Sequence, residues 1–234
     1  QGVPFHIDET MRPIYTGSFF GLLNPFGLLC GVLSLVMIVA HGGNYLTLRT
    51  EGALQARARN VAFIAGIVSA VLFVIGGLWV WDGYVAVAGL DPAGPANPLA
   101  KTVEIQAGAW FANFASVPVL WLVPALGVIG ALGGAVMVRA NKPGFAFVLS
   151  AASLLGIILT PLLAMFPFVM PSSTMPNAGL TLWDCTSSQL TLEIMLFVTL
   201  IFLPLVLLYT GWAYKVMSGK LNSEYIEKNS HSLY

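Results

Sequence analysis

VAFIAGIVSAVLFVIGGLWVW, residues 61–81, runs for 21 residues without a single charged side chain. At about 1.5 Å of rise per residue a helix of this length measures about 30 Å, the thickness of the hydrocarbon core of a bilayer. Four further stretches of comparable length and apolarity lie near 19–40, 115–138, 145–167 and 192–212. The pattern predicts an all-α transmembrane protein. Its five membrane-spanning helices occupy a membrane domain at 19–212, with an external leader segment at 1–18 and a cytoplasmic tail at 213–234.

The composition agrees. Of 234 residues, 57% are hydrophobic and only 9% are charged, whereas a soluble domain carries about a quarter charged residues to keep its surface wetted. The net charge is zero, so nothing here attracts a polyanion and nucleic-acid binding is excluded. Two cysteines, Cys30 and Cys185, are too few for a disulfide framework. Cys30 falls about ten residues into its span, roughly 15 Å deep, and Cys185 falls in a loop, so the two are not expected to pair. No basic, then apolar, leader opens the sequence, and the chain reads as the later part of a longer polypeptide.

Residues 47–60, 82–106, 139–144 and 171–189 read as the aqueous connections. Threading them through the membrane places Arg49, Arg57, Arg59, Arg139, Lys142, Lys215, Lys220 and Lys228 on one side, and only Arg12 and Lys101 on the other. Lys and Arg near span ends are retained in the cytoplasm, so the amino end is expected outside and the carboxyl end inside. Gly27 with Gly31, and Gly130 with Gly134, are small residues four apart that allow helix backbones to approach closely. Pro118, Pro124, Pro161, Pro167 and Pro204 interrupt helix hydrogen bonding and require neighbours that satisfy the freed carbonyls.

The chemistry-bearing side chains are few. No HExxH, CxxC, phosphate loop or nucleophile elbow is present, so no catalytic residue and no metal ligand is expected. Haem needs an axial His, Met or Cys, yet His6 lies in the leader, His231 in the tail and His41 at the cytoplasmic end of the first span. His41 reads as an interfacial packing residue. Asn113 reads as a hydrogen-bonding link between helices. Glu193, at the external edge of the fifth span, reads as a side chain that snorkels, with a proton-linked or quinone role as its rival. The polar run around Asp184 places several capping side chains just before the last span, and Asp184 is expected to help cap that helix, with delivery or release of protons at the external face as its rival role. Trp110, Phe111, Phe114 and Trp121 form an aromatic, apolar wall suited to a quinone tail or a lipid.

Several strings are specific enough to carry a resemblance. GVPFHIDETMRPIYTG (2–17), LLNPFGLL (22–29), GAWFANF (108–114), ALGV (125–128), AMFPFVMPSSTMPNAGLTLWDCTSSQLTL (164–192) and NSHSLY (229–234) resemble subunit II of the cytochrome bd ubiquinol oxidases. The resemblance runs the length of the chain. It implies an electrogenic terminal oxidase of an aerobic respiratory chain in the bacterial inner membrane, taking electrons from quinol to dioxygen, forming water and contributing to the proton-motive force. It also implies that haem b and haem d are held by a partner, subunit I, and that this chain is a haem-free subunit, not catalytic alone, that stabilises subunit I. A bound ubiquinone, membrane lipid and a small accessory single-helix subunit are further partners the family admits. By the same resemblance the chain holds the last helix of one four-helix bundle plus a complete second four-helix bundle. Cys185 and Glu193 depart from the family pattern. From the residues alone, the interrupted spans also suit a small membrane transporter or channel subunit, or a purely lipid-filling scaffold.

Overall fold

A computed structural model describes residues 1–91, 94, 97–216 and 218–220. Its five long apolar helices span Pro25–Arg49, Gly52–Trp79, Pro118–Arg139, Pro143–Met165 and Gln189–Val216, each long enough to cross a membrane. In chain order the elements are β1 (Phe5–Ile7), β2 (Pro13–Tyr15), α1 (Pro25–Arg49), α2 (Gly52–Trp79), β3 (Asp82–Ala88) and β4 (Thr102–Ala107). There follow α3 (Ala112–Ser116), α4 (Leu122–Arg139, led by a 3-10 turn from Pro118), α5 (Pro143–Met165), β5 (Phe168–Met170), β6 (Leu180–Thr181), α6 (Leu182–Cys185) and α7 (Gln189–Val216). The chain is an all-α transmembrane protein, decorated at one end by three small antiparallel hairpins.

The helix ends differ from the apolar boundaries for local reasons. α1 starts at Pro25 rather than near residue 19, because Asn24 takes the N-cap position and its side chain accepts from Gly27 N–H at 2.7 Å. Cys30 is therefore the sixth residue of its helix, about 8 Å from the start by helix rise rather than 15 Å. Residues 47–60, expected as an aqueous connection, are mostly helix: α1 ends at Arg49 and α2 begins at Gly52. Hydropathy marks where a helix meets lipid, while Ala, Arg, Leu and Gln in this segment are strong helix formers that carry the helix past that boundary. Residues 213–216 belong to the last turn of α7. Residues 221–234 of the expected tail, with Lys228, His231 and the NSHSLY string, lie outside the described residues.

Four of the helices close into a ring, with α1 against α2, α2 against α4, α4 against α5, and α5 back against α1. The division into one helix plus a four-helix bundle is present, but its membership is not the expected one. The odd helix is the last, α7, and the first span belongs to the ring. The reason lies in small residues. Where no hydrophobic force acts between helices, association needs close backbone contact. A Cβ on Gly43 would come within 3.0 Å of Ala62, one on Gly66 within 3.1 Å of Ala135, and one on Gly130 within 2.7 Å of the Leu149 carbonyl. A Cβ on Gly156 would collide with the backbone of Gly127. α7 carries no such stripe: its Leu, Ile, Phe and Val side chains point in all directions and no residue of it is buried. Tyr214 alone among its rings approaches α1, meeting Tyr45 edge to face at 6.2 Å.

The two glycine pairs singled out in the sequence part company. Gly130 and Gly134 are buried in the α4–α5 seam. Gly31 has nothing within 4 Å, and Gly27 touches only its own helix start. Hydroxyls tie the same seam, with Ser153 donating to the Gly127 carbonyl at 2.7 Å.

The seam makes a direct prediction. Gly156→Val forces α4 and α5 apart and is expected to cost about 1–3 kcal/mol, lowering the thermal midpoint of the detergent-solubilised protein by about 2–4 °C per kcal/mol. Gly31→Val, facing open space, should leave the midpoint unchanged. Size-exclusion profiles after heating give the comparison, and equal loss in both variants would contradict the backbone-contact account.

Candidate functional site

The end of the ring away from Arg49 and Arg139 is roofed by segments far apart in sequence. The β1–β2 hairpin pairs Phe5 with Tyr15 and Ile7 with Pro13, and the β3–β4 hairpin pairs Asp82 with Ala107. The loop from Phe166 to Cys185 threads between them. Val3 bridges to Ser172. The Ser172 hydroxyl donates to the Phe5 carbonyl at 2.5 Å, and Thr174 donates to the same oxygen at 2.7 Å. The Asn177 side chain accepts from Val103 N–H at 2.8 Å. Two apolar clusters fill the space beneath, one of Phe5, Ile7 and Ala178 and one of Tyr84, Val103, Trp110 and Phe168. The segment expected as a leader at 1–18 is thus a folded part of this cap.

At its centre sits an ion pair. Lys101 Nζ lies 2.7 Å from Asp184 Oδ2, with the two side chains only 1% and 8% exposed. Lys101 also donates to the Pro98 carbonyl at 2.7 Å. The same carboxylate oxygen accepts from Thr181 N–H at 2.9 Å and from the Thr181 hydroxyl at 2.6 Å. Asp184 therefore caps α6 rather than the last span, because α6 starts immediately after Thr181 and places Asp184 at its third position. The last span starts separately at Gln189, with Leu192 N–H returning to the Ser188 carbonyl at 3.1 Å. Burial pushes the Asp184 carboxyl up, but the hydrogen bonds from Lys101 and Thr181 outweigh it and hold the group below its usual 3.8.

The remaining candidates are dispersed. Asn113 on α3 donates from Nδ2 to the carbonyls of Leu163 at 2.9 Å and Phe166 at 2.7 Å, which closes off the carboxyl end of α5. Glu193 is exposed and accepts from Gln189 at 2.9 Å on its own helix. His41 lies well inside α1, eight residues before Arg49, rather than at the helix end. Its Nδ1 is 2.8 Å from Ser150 Oγ, and its ring stacks on Phe147 at 4.6 Å. Three of the four aromatic residues meet, with Trp121 against Phe114 at 5.2 Å and stacked on Phe111 at 6.1 Å, and Trp81 lies beside Phe111 at 5.8 Å; Trp110 and Phe114 are buried. The two outer rings face outward, with Trp121 49% and Trp81 57% exposed.

Sequence reasoning missed Lys101, Asn177 and Ser172, and it missed the serines of the helix interior. Lys101 could have been found: a lone base between apolar runs must meet an acid if the loop folds, and Asp184 was available. The β3–β4 hairpin had its own signal in the alternation of YVAVA and TVEIQ, residues 84–88 and 102–106.

Inside the helix ring there is no room for haem: the cavity there measures about 10 Å³, and the imidazole of His41 is held between Ser150 and Phe147.

The ion pair gives the second prediction. Asp184→Asn strands the Lys101 charge in a buried site and should cost about 3–5 kcal/mol, as should Lys101→Met. The double variant Lys101→Met with Asp184→Leu should recover much of the loss, and a strictly additive cycle would disprove the coupling. A depressed carboxyl contributes stability above its unfolded-state value and loses it as pH falls through the folded value, so the native cap should loosen only below about pH 4.

Known proteins share much of this sequence. The sequence profile of the family described as cytochrome bd terminal oxidase subunit II matches residues 1–217. The chain is 52% identical over 237 residues to "Cytochrome bd-I ubiquinol oxidase subunit 2" of Escherichia coli (strain K12), covering 100% of this chain and 62% of that protein. It is 50% identical over 236 residues to "Probable cytochrome oxidase subunit 2" of Haemophilus influenzae, again covering 100% and 62%. A more distant relative, "Cytochrome bd ubiquinol oxidase subunit 2" of Bacillus subtilis, is 26% identical over 223 residues. The chain spans 62% of the length of the first two relatives. With the profile match covering nearly all of its residues, the chain belongs to the cytochrome bd terminal oxidase subunit II family.

Proposed function

We propose that this chain acts as the haem-free scaffold subunit of a quinol-oxidising terminal oxidase. In this reading it stabilises a haem-bearing subunit I, which holds haem b and haem d, while the complex passes electrons from ubiquinol to dioxygen. Water is the product, and the reaction is electrogenic, contributing to the proton-motive force. The observation that carries the reading is the 52% identity, across the whole chain, to subunit 2 of a cytochrome bd-I ubiquinol oxidase.

The geometry is compatible with a scaffold. The ring is packed on glycine, alanine and serine with a cavity of about 10 Å³, which leaves no room for a macrocycle or for a transport path through it. That argues against the transporter or channel reading, even though Pro161 and Pro204 interrupt α5 and α7. The fully exposed apolar surface of α7 suits contact with subunit I, with a small single-helix subunit or with lipid. The outward stack of Trp81, Phe111 and Trp121 suits a bound ubiquinone tail or an acyl chain.

The distribution of bases over the same architecture supports a sidedness. Arg49, Arg57, Arg59, Arg139 and Lys142 lie at one end of the ring, with Arg59 donating to Asn141 at 2.5 Å and Arg139 resting over the Phe63 ring at 4.4 Å. We assign that end to the cytoplasm of the bacterial inner membrane and the hairpin cap to the outside.

Two measurements test the proposal. Membranes carrying the native complex should show quinol-driven oxygen uptake and the red-shifted band of a d-type haem in a reduced-minus-oxidised spectrum. Either one missing, or a stable functional unit purified without a larger partner, would overturn the assignment. For the sidedness, an impermeant thiol reagent should label exposed Cys185 in intact cells and spare a cysteine placed by Gln55→Cys. The opposite labelling pattern would invert the threading.

A further inference from the structure

The cavity at the centre of the helix ring is small but chemically one-sided. It is lined by Asn44, Gly66, Ser69, Ala131, Ser150 and Ser153, with Met37, Ala40 and Leu154 closing it. Asn44 is only 2% exposed. Its Nδ2 faces the Ala146 carbonyl at 3.4 Å, which fixes the amide orientation, since the flipped amide would set oxygen against oxygen. Oδ1 is left buried, without a hydrogen-bond partner among the described residues.

The neighbouring hydroxyls cannot relieve it. A serine hydroxyl has one proton to donate, and each of these is directed at a backbone carbonyl: Ser69 to Gly66 at 2.9 Å, Ser153 to Gly127 at 2.7 Å and Ser150 to Phe147 at 2.9 Å. With its proton so placed, Ser150 Oγ accepts from His41 Nδ1, 2.8 Å away. The serine hydroxyls thus offer Asn44 Oδ1 acceptors and no free donor. A buried acceptor in a low-dielectric interior requires a donor.

We propose that this cavity is a binding site for one water molecule, which donates to Asn44 Oδ1 and to a serine Oγ of α2 or α5. The volume of about 10 Å³ is close to that of a single water-sized probe. A cation would also meet acceptors, but no carboxylate lines the cavity to balance its charge in hydrocarbon. Dioxygen has no proton to give. The water joins α1 to the serines of the ring, and where it bonds Ser150 it extends the link between α1 and α5 that begins at His41. This site stands on the cavity and the hydrogen-bond geometry alone, independent of the oxidase assignment.

A cryo-EM map of the protein in its native assembly, at a resolution that shows ordered water, tests the site. The expected result is one peak about 2.7–3.2 Å from Asn44 Oδ1 and from a serine Oγ. In Asn44→Leu, which replaces the amide with hydrocarbon of similar size, that peak should vanish. No peak in the native protein overturns the proposal, as does a peak ringed by five or more oxygens at about 2.3–2.6 Å, the signature of a bound cation. A peak that persists unchanged in Asn44→Leu removes Asn44 from the site. If the variant does not assemble, the native map decides.

Discussion

Backbone has to touch backbone in this protein, because lipid is as apolar as the helices it surrounds and leaves no hydrophobic force to press them together. The closest such approach, Gly127 against Gly156, sets the separation of α4 and α5. Other features follow from it. Ser153 can reach the Gly127 carbonyl only because no side chain intervenes. The ring closes from α5 back to α1 because Ala146 is small enough to admit Asn44.

The same constraint separates the ring from α7. An apolar surface made of large residues is comfortable in lipid, so α7 gains little by packing on its neighbours and stands exposed along its length. The cap obeys the opposite logic. It lies among polar segments, where water competes for every hydrogen bond, and it is held by two apolar clusters together with one shielded ion pair.

Much of the fold was legible in the sequence, since five apolar runs of bilayer length admit few other readings. Helix ends were less so: hydropathy follows the solvent, and the helices near residues 47–60 continue past it. Glycine spacing was readable only in part, because Gly27 with Gly31 has the same spacing as Gly130 with Gly134 and only the second pair meets a neighbour. The cap resisted more strongly. Phe5 with Ser172, Val103 with Asn177 and Lys101 with Asp184 join residues 167, 74 and 83 positions apart, and no local pattern announces such pairings. Asp184 looked like a cap for the nearest long helix, because a four-residue helix such as α6 leaves almost no trace in sequence. The resemblance to a known family drew in part on the cap strings, residues 2–17 and 164–192.

The 83 positions between Lys101 and Asp184 also impose an order on biogenesis. At a synthesis rate of about 5–20 residues per second, Lys101 leaves the ribosome about 4–17 s before its partner. Over that interval α4 and α5 are made and inserted. The lysine can wait in water at the membrane surface at little cost, but the roof it belongs to cannot close. The cap is therefore a late-closing clasp, and a quality-control protease at that membrane face would meet an open hairpin on every nascent chain before it met a finished one.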